Sequence, residues 1–401
     1  MTAVDPSSVE TPTCPVKNWD YRVQGRAHSH FEEYDRLRDE TPWYRNEMEP
    51  GFWTMVNHEG MLEVFQNPEV FSNQAVTVFD PNPAYKWVPL MLDGDEHLEW
   101  RRLLGPLFSP GRVEKLDAHI RARAVELIEE IAPRGECDFI ADFAQKFPTT
   151  IFLELMGLPV EELPQFMKWE SALLHTSLGT PEEVQARMDA MMQVRERFTG
   201  LIEERRENPL DDIVSKAAHF EVHGEPIQDA ELLSFCMFMF MAGLDTMTVS
   251  LGWSFWHMAN HEADRKRVAE DPSTTPQAIE EFLRVYASVI SSRKATQDFE
   301  VQGCPIKKDD MVNLPINAST RDGAAFERAK EVVIDRSPNN HIAFGAGPHR
   351  CLGSHLARRE LRIAIDEWHK RIPEYRMAET AELEETGRLI GLTSLPLVWD
   401  V

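Results

Sequence analysis

The stretch Phe344–Glu360, "FGAGPHRCLGSHLARRE", decides how the rest of the chain is read. Its first ten residues hold three glycines, a proline, a histidine and a cysteine, and a basic, helix-forming run follows. Glycine permits unusual φ values and lets backbone come close to a flat ligand. Cys351 stands at the start of the predicted helix, where free N–H donors and partial positive charge gather. Both lower a thiol's pKa and favour the thiolate. A thiolate held by backbone donors is what an iron ligand requires. Cys351 alone also fits a small buried hydrophobe or a nucleophile. Neither explains why Phe344, the further glycines and His349 accompany it.

The bulk numbers narrow the field. The chain has 401 residues, 42% of them apolar, enough for a sizeable core. Its formal charge of −25 argues against nucleic acid as a partner, because phosphate binding needs a basic face. Five cysteines, Cys14, Cys137, Cys236, Cys304 and Cys351, are scattered without a C-x-x-C, so a zinc ribbon or dithiol pair is excluded. The sparse, odd count suits a reducing cytoplasm. The N-terminus lacks the basic start and apolar run of a signal peptide. The longest apolar stretch, roughly residues 232–244, is too short to span ~30 Å of hydrocarbon. No membrane contact and a cytoplasmic location are expected.

Residues 1–18, rich in Pro, Ser and Thr, read as a loose extension, and 19–401 as a single domain. Helical periodicity dominates from about Asp95. "EHLEWRRLLGPLF" ends at Ser109-Pro110, and "RVEKLDAHIRARAVELIEEIA", "EEVQARMDAMMQVRERFTGLIEERRE", "PQAIEEFLRVYAS" and "GSHLARRELRIAIDEWHKRI" are further helices. "DAELLSFCMFMFMAGLDTMTVSLGWSFWHMANH" is apolar on nearly all faces and should lie at the centre. Strand signals are confined to "GFWTMVN", the region 292–316 and the tail "SLPLVWDV". The expected fold is mainly α, with small β-sheets to one side of one large core.

The central helix carries Ala242-Gly243-Leu244-Asp245-Thr246. A helix-interior Gly costs ~1 kcal/mol against Ala. A Thr bonding back one turn loosens the ladder further, and an Asp among apolar residues needs a partner or water. Together they predict a local widening.

F-G-x-G-x-H-x-C-x-G, filled by Phe344, Gly345, Gly347, His349, Cys351 and Gly353, resembles the haem-binding signature of the cytochrome P-450 superfamily. The likeness runs from about Asp20 to the C-terminus. "GLDT", "LARRE" and "LPLVWD" look most like the soluble bacterial camphor-hydroxylase branch. The resemblance implies haem b between the central distal helix and the helix behind the cysteine loop, with Cys351 as iron ligand and Phe344 beside the sulfur. His97, Arg101, Arg293 and His349 would hold the propionates. Thr246 would donate a hydrogen bond to dioxygen, and Asp245 would relay protons. Tyr85, Trp87, Phe238, Met241, Val289 and Leu389 would line the substrate pocket. Glu281 and Arg284 would form a buried structural pair. The position that normally completes that pair falls on Glu331, a departure that leaves Arg328 or Arg336 to rebuild the network.

The implied activity is a monooxygenase that uses O2 to hydroxylate a C–H bond of a small, mostly apolar organic substrate such as a terpenoid or aromatic. Lys86, beside Tyr85, leaves room for a charged one. The chain has no flavin or iron–sulfur motif, so electrons must come from a separate 2Fe-2S-type ferredoxin and its NAD(P)H-dependent reductase. Arg102, Arg112, Arg350 and Arg358 would form the basic docking surface for that acidic partner. The expected state is a monomer. A haem-binding sensor or carrier is the alternative, and it would have no use for Asp245-Thr246.

Overall fold

A computed structural model describes residues 14–175, 180–379 and 382–401. The helices pack beside a five-stranded sheet: β1 (Trp43–Asn46), β2 (Phe52–Met55), β3 (Phe71–Ser72), β4 (Ile290–Ala295) and β5 (Met311–Pro315). The strand order is β1-β2-β5-β4-β3. β2 and β5 run parallel, with Val312 opposite Trp53, and the other pairings are antiparallel. The tail strand Pro396–Val398 pairs with Glu136–Asp138 and Arg376–Met377, tying the C-terminus to the helical body.

Much of the expected extension lies outside the described residues, which begin at Cys14. The packed chain starts earlier than residue 19. Val16 bridges Arg45, and Lys17 N–H donates to the Arg45 carbonyl at 2.9 Å.

The site draws on α1 (Gly94–Leu104), α2 (Asp229–Gly243), α3 (Asp245–Asn260), α4 (Thr275–Val285) and α5 (Ser354–Arg371), with walls added by the helices His58–Gln66 and Lys146–Met156. The single central helix expected from the sequence is two, broken at Leu244 (φ −96°, ψ −68°). The cause is the one predicted for a widening: Thr246 Oγ1 donates to the Ala242 carbonyl at 3.0 Å. Taken together, Asp229–Asn260 is long and apolar enough to cross a membrane, longer than the apolar run suggested. Its most apolar window is 56% buried inside the fold, as a core helix is.

The core is not one mass. Buried apolar side chains form three clusters, one around α3, α4 and α5, one around α2 and the helix Pro181–Glu207, and one on the sheet. An internal cavity interrupts the contacts between them, and each cluster lends it a wall: Met247 and Leu283, Phe152 and Phe235, and Phe65 and Ile316.

α4 shows how sequence sets packing. Ala278, Ile279, Phe282, Leu283 and Val285 recur at helical spacing and are all buried. A fully buried Phe, Leu or Ile is worth roughly 1.5–3 kcal/mol. The same helix buries Glu281 and Arg284 completely, paired at 2.6 Å. Arg284 also donates to the Thr320, Ala329 and Glu331 carbonyls. Arg336 completes the pair, with Nε 2.9 Å from Glu281 Oε1, and Asn339 and the Val333 amide add two more donors. Glu331 contributes only its carbonyl, because its side chain pairs outside with Arg328. Removing one partner leaves the other charge buried and unpaired, which costs about 3–5 kcal/mol. Glu281→Ala should therefore lower the stability measured by urea unfolding by that amount. A loss under about 1 kcal/mol would show that water or Asn339 replaces the carboxylate.

Candidate functional site: a cysteine-floored cavity

The loop from Phe344 to Gly353 is shaped by two left-handed glycines. Gly345 has φ +70° and Gly347 φ +68°. A Cβ on Gly347 would lie 2.3 Å from the Phe65 carbonyl, so no other residue fits. The turn closes when Cys351 N–H donates to the Phe344 carbonyl at 2.8 Å. The Phe344 ring is held by the Arg358 guanidinium, 4.5 Å from its centroid. Cys351 lies three residues before α5 begins, and its surface opens into the cavity and not to the outside. The sequence reading expected a lowered thiol pKa here. Among the chain's own groups burial wins and pushes the thiol up, against the Gly353 amide and the charges of Arg101, Arg350 and Arg358. Only a cation at the sulfur would reverse that balance.

The cavity has a volume of about 390 Å³ and mostly apolar walls, within the usual range for small-molecule sites. β4 and its approach send every second side chain into it: Val289, Ser291 and Arg293. α1 supplies His97 and Arg101, one turn apart. α2 and α3 supply Phe235, Phe238, Met239, Ala242, Gly243 and Thr246, on both sides of the break. Met241 is a correction. Its side chain packs into the α2 cluster, because the face defined by Phe238, Ala242 and Thr246 at four-residue spacing points it elsewhere.

Two arginines and two histidines converge on one side of the cavity, and Asp93, beside His349, is the acid near them. Arg293 is 4% exposed; its guanidinium donates to Ser291 Oγ and the Ser292 carbonyl and lies 5.0 Å from the centroid of the Phe65 ring. Burial pulls it down to about 10. Arg101 donates to the Arg350 carbonyl at 2.7 Å. Among the described residues neither arginine has a carboxylate within 4.0 Å. His97 stacks on His349 at 3.8 Å between ring centroids, and burial, then the charges of His349 and Arg101, hold His97 down at about 3. Burial also lowers His349, whose Nε2 stands 3.6 Å from Asp93. Buried guanidinium groups without anions are costly, and they suit a ligand that carries its own carboxylates. A flat dianionic group with a metal that takes a thiolate fits this lining, which is the chemistry of haem.

The sequence reading missed several groups near the cavity. Asp245 pairs with His175 at 3.2 Å. Burial lowers the His175 pKa, but the bond to Asp245 and the charges of Asp245 and Glu170 outweigh it, so the net shift is upward. Glu170 is 2% exposed, and burial pushes it up to about 8. Glu360 lines the cavity, 3% exposed, with Oε2 unpartnered. None carries a sequence signal, because each depends on which helix face is covered.

Other expected site residues lie further out. Tyr85 is 40% exposed at the rim; its ring lies 5.0 Å from Trp87, which lies 6.3 Å from Phe238. Leu389 bridges Val289 through backbone. Arg350 is exposed beside Cys351. Arg102 and Arg112 are at the surface, paired with Glu99 at 3.6 Å and Asp211 at 3.1 Å. Arg358, about as exposed as Arg112, pairs with Glu280 at 2.6 and 2.8 Å and lies over the Phe344 ring.

The fold and the cavity together describe a haem-thiolate protein. The profile of the family described as Cytochrome P450 matches residues 21–275 and 273–367. A relative named Probable cytochrome P450 127A1, from Sinorhizobium fredii, is 33% identical over 87% of this chain and 84% of its own length. The Steroid C26-monooxygenase of Mycobacterium tuberculosis is 30% identical over 91% and 92%. The crystal structure of CYP101J2 superposes with a TM-score of 0.88 at 31% identity, covering all of both chains. The chain belongs to the cytochrome P450 family, and it is a haem b monooxygenase.

Burial pushes the Glu360 carboxyl from 4.5 up to about 8. The folded chain keeps this proton while the unfolded chain releases it, so this group's contribution to stability falls as pH rises from about 4.5 to about 8. The slope is at most about 1.4 kcal/mol per pH unit. Glu360→Gln removes it. The variant should gain on the parent between pH ~5 and ~8 in urea unfolding; a constant difference would contradict the burial argument.

Proposed function

We propose that this monooxygenase hydroxylates a small, mostly apolar organic substrate, such as a terpenoid or aromatic, with electrons from a separate 2Fe-2S ferredoxin and its NAD(P)H-dependent reductase. The carrying observation is that one cavity joins an inward-opening Cys351, the Thr246 hydroxyl beside the helix break at Leu244, and two arginines, Arg101 and Arg293, with no carboxylate in contact. When bound, haem b supplies a thiolate-ligated iron at which one oxygen atom of O2 enters a C–H bond and the other leaves as water.

The chain's own residues then have defined tasks. Cys351 holds the iron as thiolate, with Phe344 packed beside it. His97, Arg101, Arg293 and His349 neutralise the two propionates, where charge-assisted bonds are strongest. Thr246 keeps its hydroxyl on the Ala242 carbonyl until it turns to donate toward O2. Asp245 passes protons inward, and His175, its partner at 3.2 Å, is the group through which it meets solvent. Phe238 and Val289 wall the substrate, with Tyr85, Trp87 and Leu389 at the rim. Arg102, Arg112 and Arg350 receive the acidic ferredoxin. Support for that face is local: Arg350 is exposed next to the sulfur-bearing residue in a chain of net charge −25. We further read residues 19–401 as one catalytic domain, with Val16 and Lys17 packed on Arg45 ahead of it, working as a cytoplasmic monomer; the burial of the apolar α2–α3 pair inside the fold supports a place away from the membrane.

Thr246→Ala tests the division of labour. With a turned-over substrate, NAD(P)H oxidation should continue while product per NAD(P)H falls, by up to about a hundredfold, the low end of what a positioned proton donor supplies. Peroxide should account for the difference. Unchanged coupling would remove Thr246 from the reaction.

A further inference from the structure

Among the described residues that line the cavity, Tyr286 is the one tyrosine or tryptophan; the other rings there, histidines apart, are phenylalanines. Its ring stacks on the fully buried Trp253, with centroids 5.6 Å apart and planes 10° from parallel. Trp256, on the same helix α3, packs on both, 5.5 Å from Trp253 and 6.0 Å from Tyr286. These are ordinary spacings for aromatic rings in contact. Trp256 is half-buried and lines a groove on the outside, with exposed Arg26, Asn260 and Glu384. Three rings that give up an electron more readily than phenylalanine therefore run from the inner cavity to the surface.

The first of them is also placed to lose a proton. The Tyr286 hydroxyl lies 2.8 Å from His257 Nδ1, and His257 Nε2 lies 2.9 Å from Asp264 Oδ2. The bond to His257 holds Asp264 below the usual carboxylate range, so Asp264 is ionised and accepts. Nε2 then carries the hydrogen, and Nδ1 accepts from the phenol. Burial keeps His257 below its own ordinary pKa, so it stands as a neutral base. A buried phenol needs only an acceptor, which a backbone carbonyl can be; here it has a base within reach of proton transfer, backed by an acid. Other aromatic runs lack one of these parts. Tyr85 and Trp87 meet the cavity through Phe238, and Trp368 and Trp399 pack on each other without lining it.

We propose that Tyr286, Trp253 and Trp256 form a relay that carries oxidising equivalents from the haem site to the surface when no substrate is present to receive them. It rests on haem b in the cavity, and peroxide, the product of uncoupled turnover, is the oxidant. The Tyr286 phenol gives one electron to the oxidised site and its proton to His257 Nδ1, leaving a neutral tyrosyl radical and an imidazolium paired with Asp264. An electron from Trp253 returns the tyrosyl to a phenol, which takes its proton back from His257. Trp256 refills Trp253, and a one-electron reductant in solvent, a thiolate or ascorbate, refills Trp256. Two such passages with two protons reduce one peroxide to two waters. The relay spares the cavity walls and Cys351 from oxidation.

The test uses the haem-loaded full chain without substrate, mixed with hydrogen peroxide and a nitrone spin trap, with the adducts mapped by peptide mass spectrometry. The parent should carry the trap on Trp256. In Tyr286→Phe, which keeps the ring and removes the O–H, that adduct should be lost. In His257→Gln, whose amide oxygen accepts the hydrogen bond but takes no proton, it should be lost as well. A parent without an adduct on Trp256, or an adduct that survives Tyr286→Phe, overturns the relay; one that survives His257→Gln overturns the proton's part in it. The red-shifted Soret band of the reduced, carbon monoxide-treated protein is read alongside. Its presence shows an intact thiolate site, so a missing adduct then counts against the relay alone; its absence in the parent counts against the haem-thiolate site itself.

Discussion

One short hydrogen bond orders the site: the Cys351 amide donates to the Phe344 carbonyl at 2.8 Å and turns the sulfur toward the cavity. The bond needs a tight loop, and the loop needs Gly345 and Gly347 in the left-handed region, the second of them pressed against the Phe65 carbonyl. α5 continues from the same loop and buries Leu361, Ala364, Ile365 and Trp368. The sulfur is therefore fixed to the core through a helix and to the sheet side through Phe65. Rigid support of this kind is what a ligand-holding group needs.

Around that point the fold accepts local costs. The central helix gives up its continuity at Leu244. Arg293 sits buried and Arg101 half-buried, neither with a carboxylate in contact, and His97 is held far below its ordinary range. Glu170 and Glu360 are carboxyls pushed up to about 8 by burial. Such departures from a well-satisfied interior gather where a chain does chemistry. Elsewhere the interior is conventional: the Glu281–Arg284 pair, equally buried, has every charge answered by Arg336, Asn339 and backbone carbonyls.

What could be read in advance was what depends on short-range spacing. The cysteine loop, the Gly243–Thr246 break and the helices with clean three-to-four periodicity all have local causes. Long-range pairing was out of reach. Arg336 meets Glu281 across 55 positions, and no periodicity links them. Met241 was misplaced toward the cavity because adjacent apolar residues on an all-apolar helix look alike until a neighbour claims one face. The three-part core was hidden for the same reason, since composition counts apolar residues but does not say that a cavity divides them. The partner of Arg358 was hidden as well, because "LARRE" does not reveal that Glu280 lies opposite its first arginine.

The account stands on the sulfur of Cys351 as an anionic ligand. Iron K-edge X-ray absorption on the purified, haem-loaded protein reads that ligand directly. The expected first shell holds four porphyrin nitrogens and one sulfur, and the sulfur contribution disappears in Cys351→His while the nitrogens remain. A shell of nitrogen and oxygen alone in the parent protein, or a sulfur signal that persists in the variant, would contradict it.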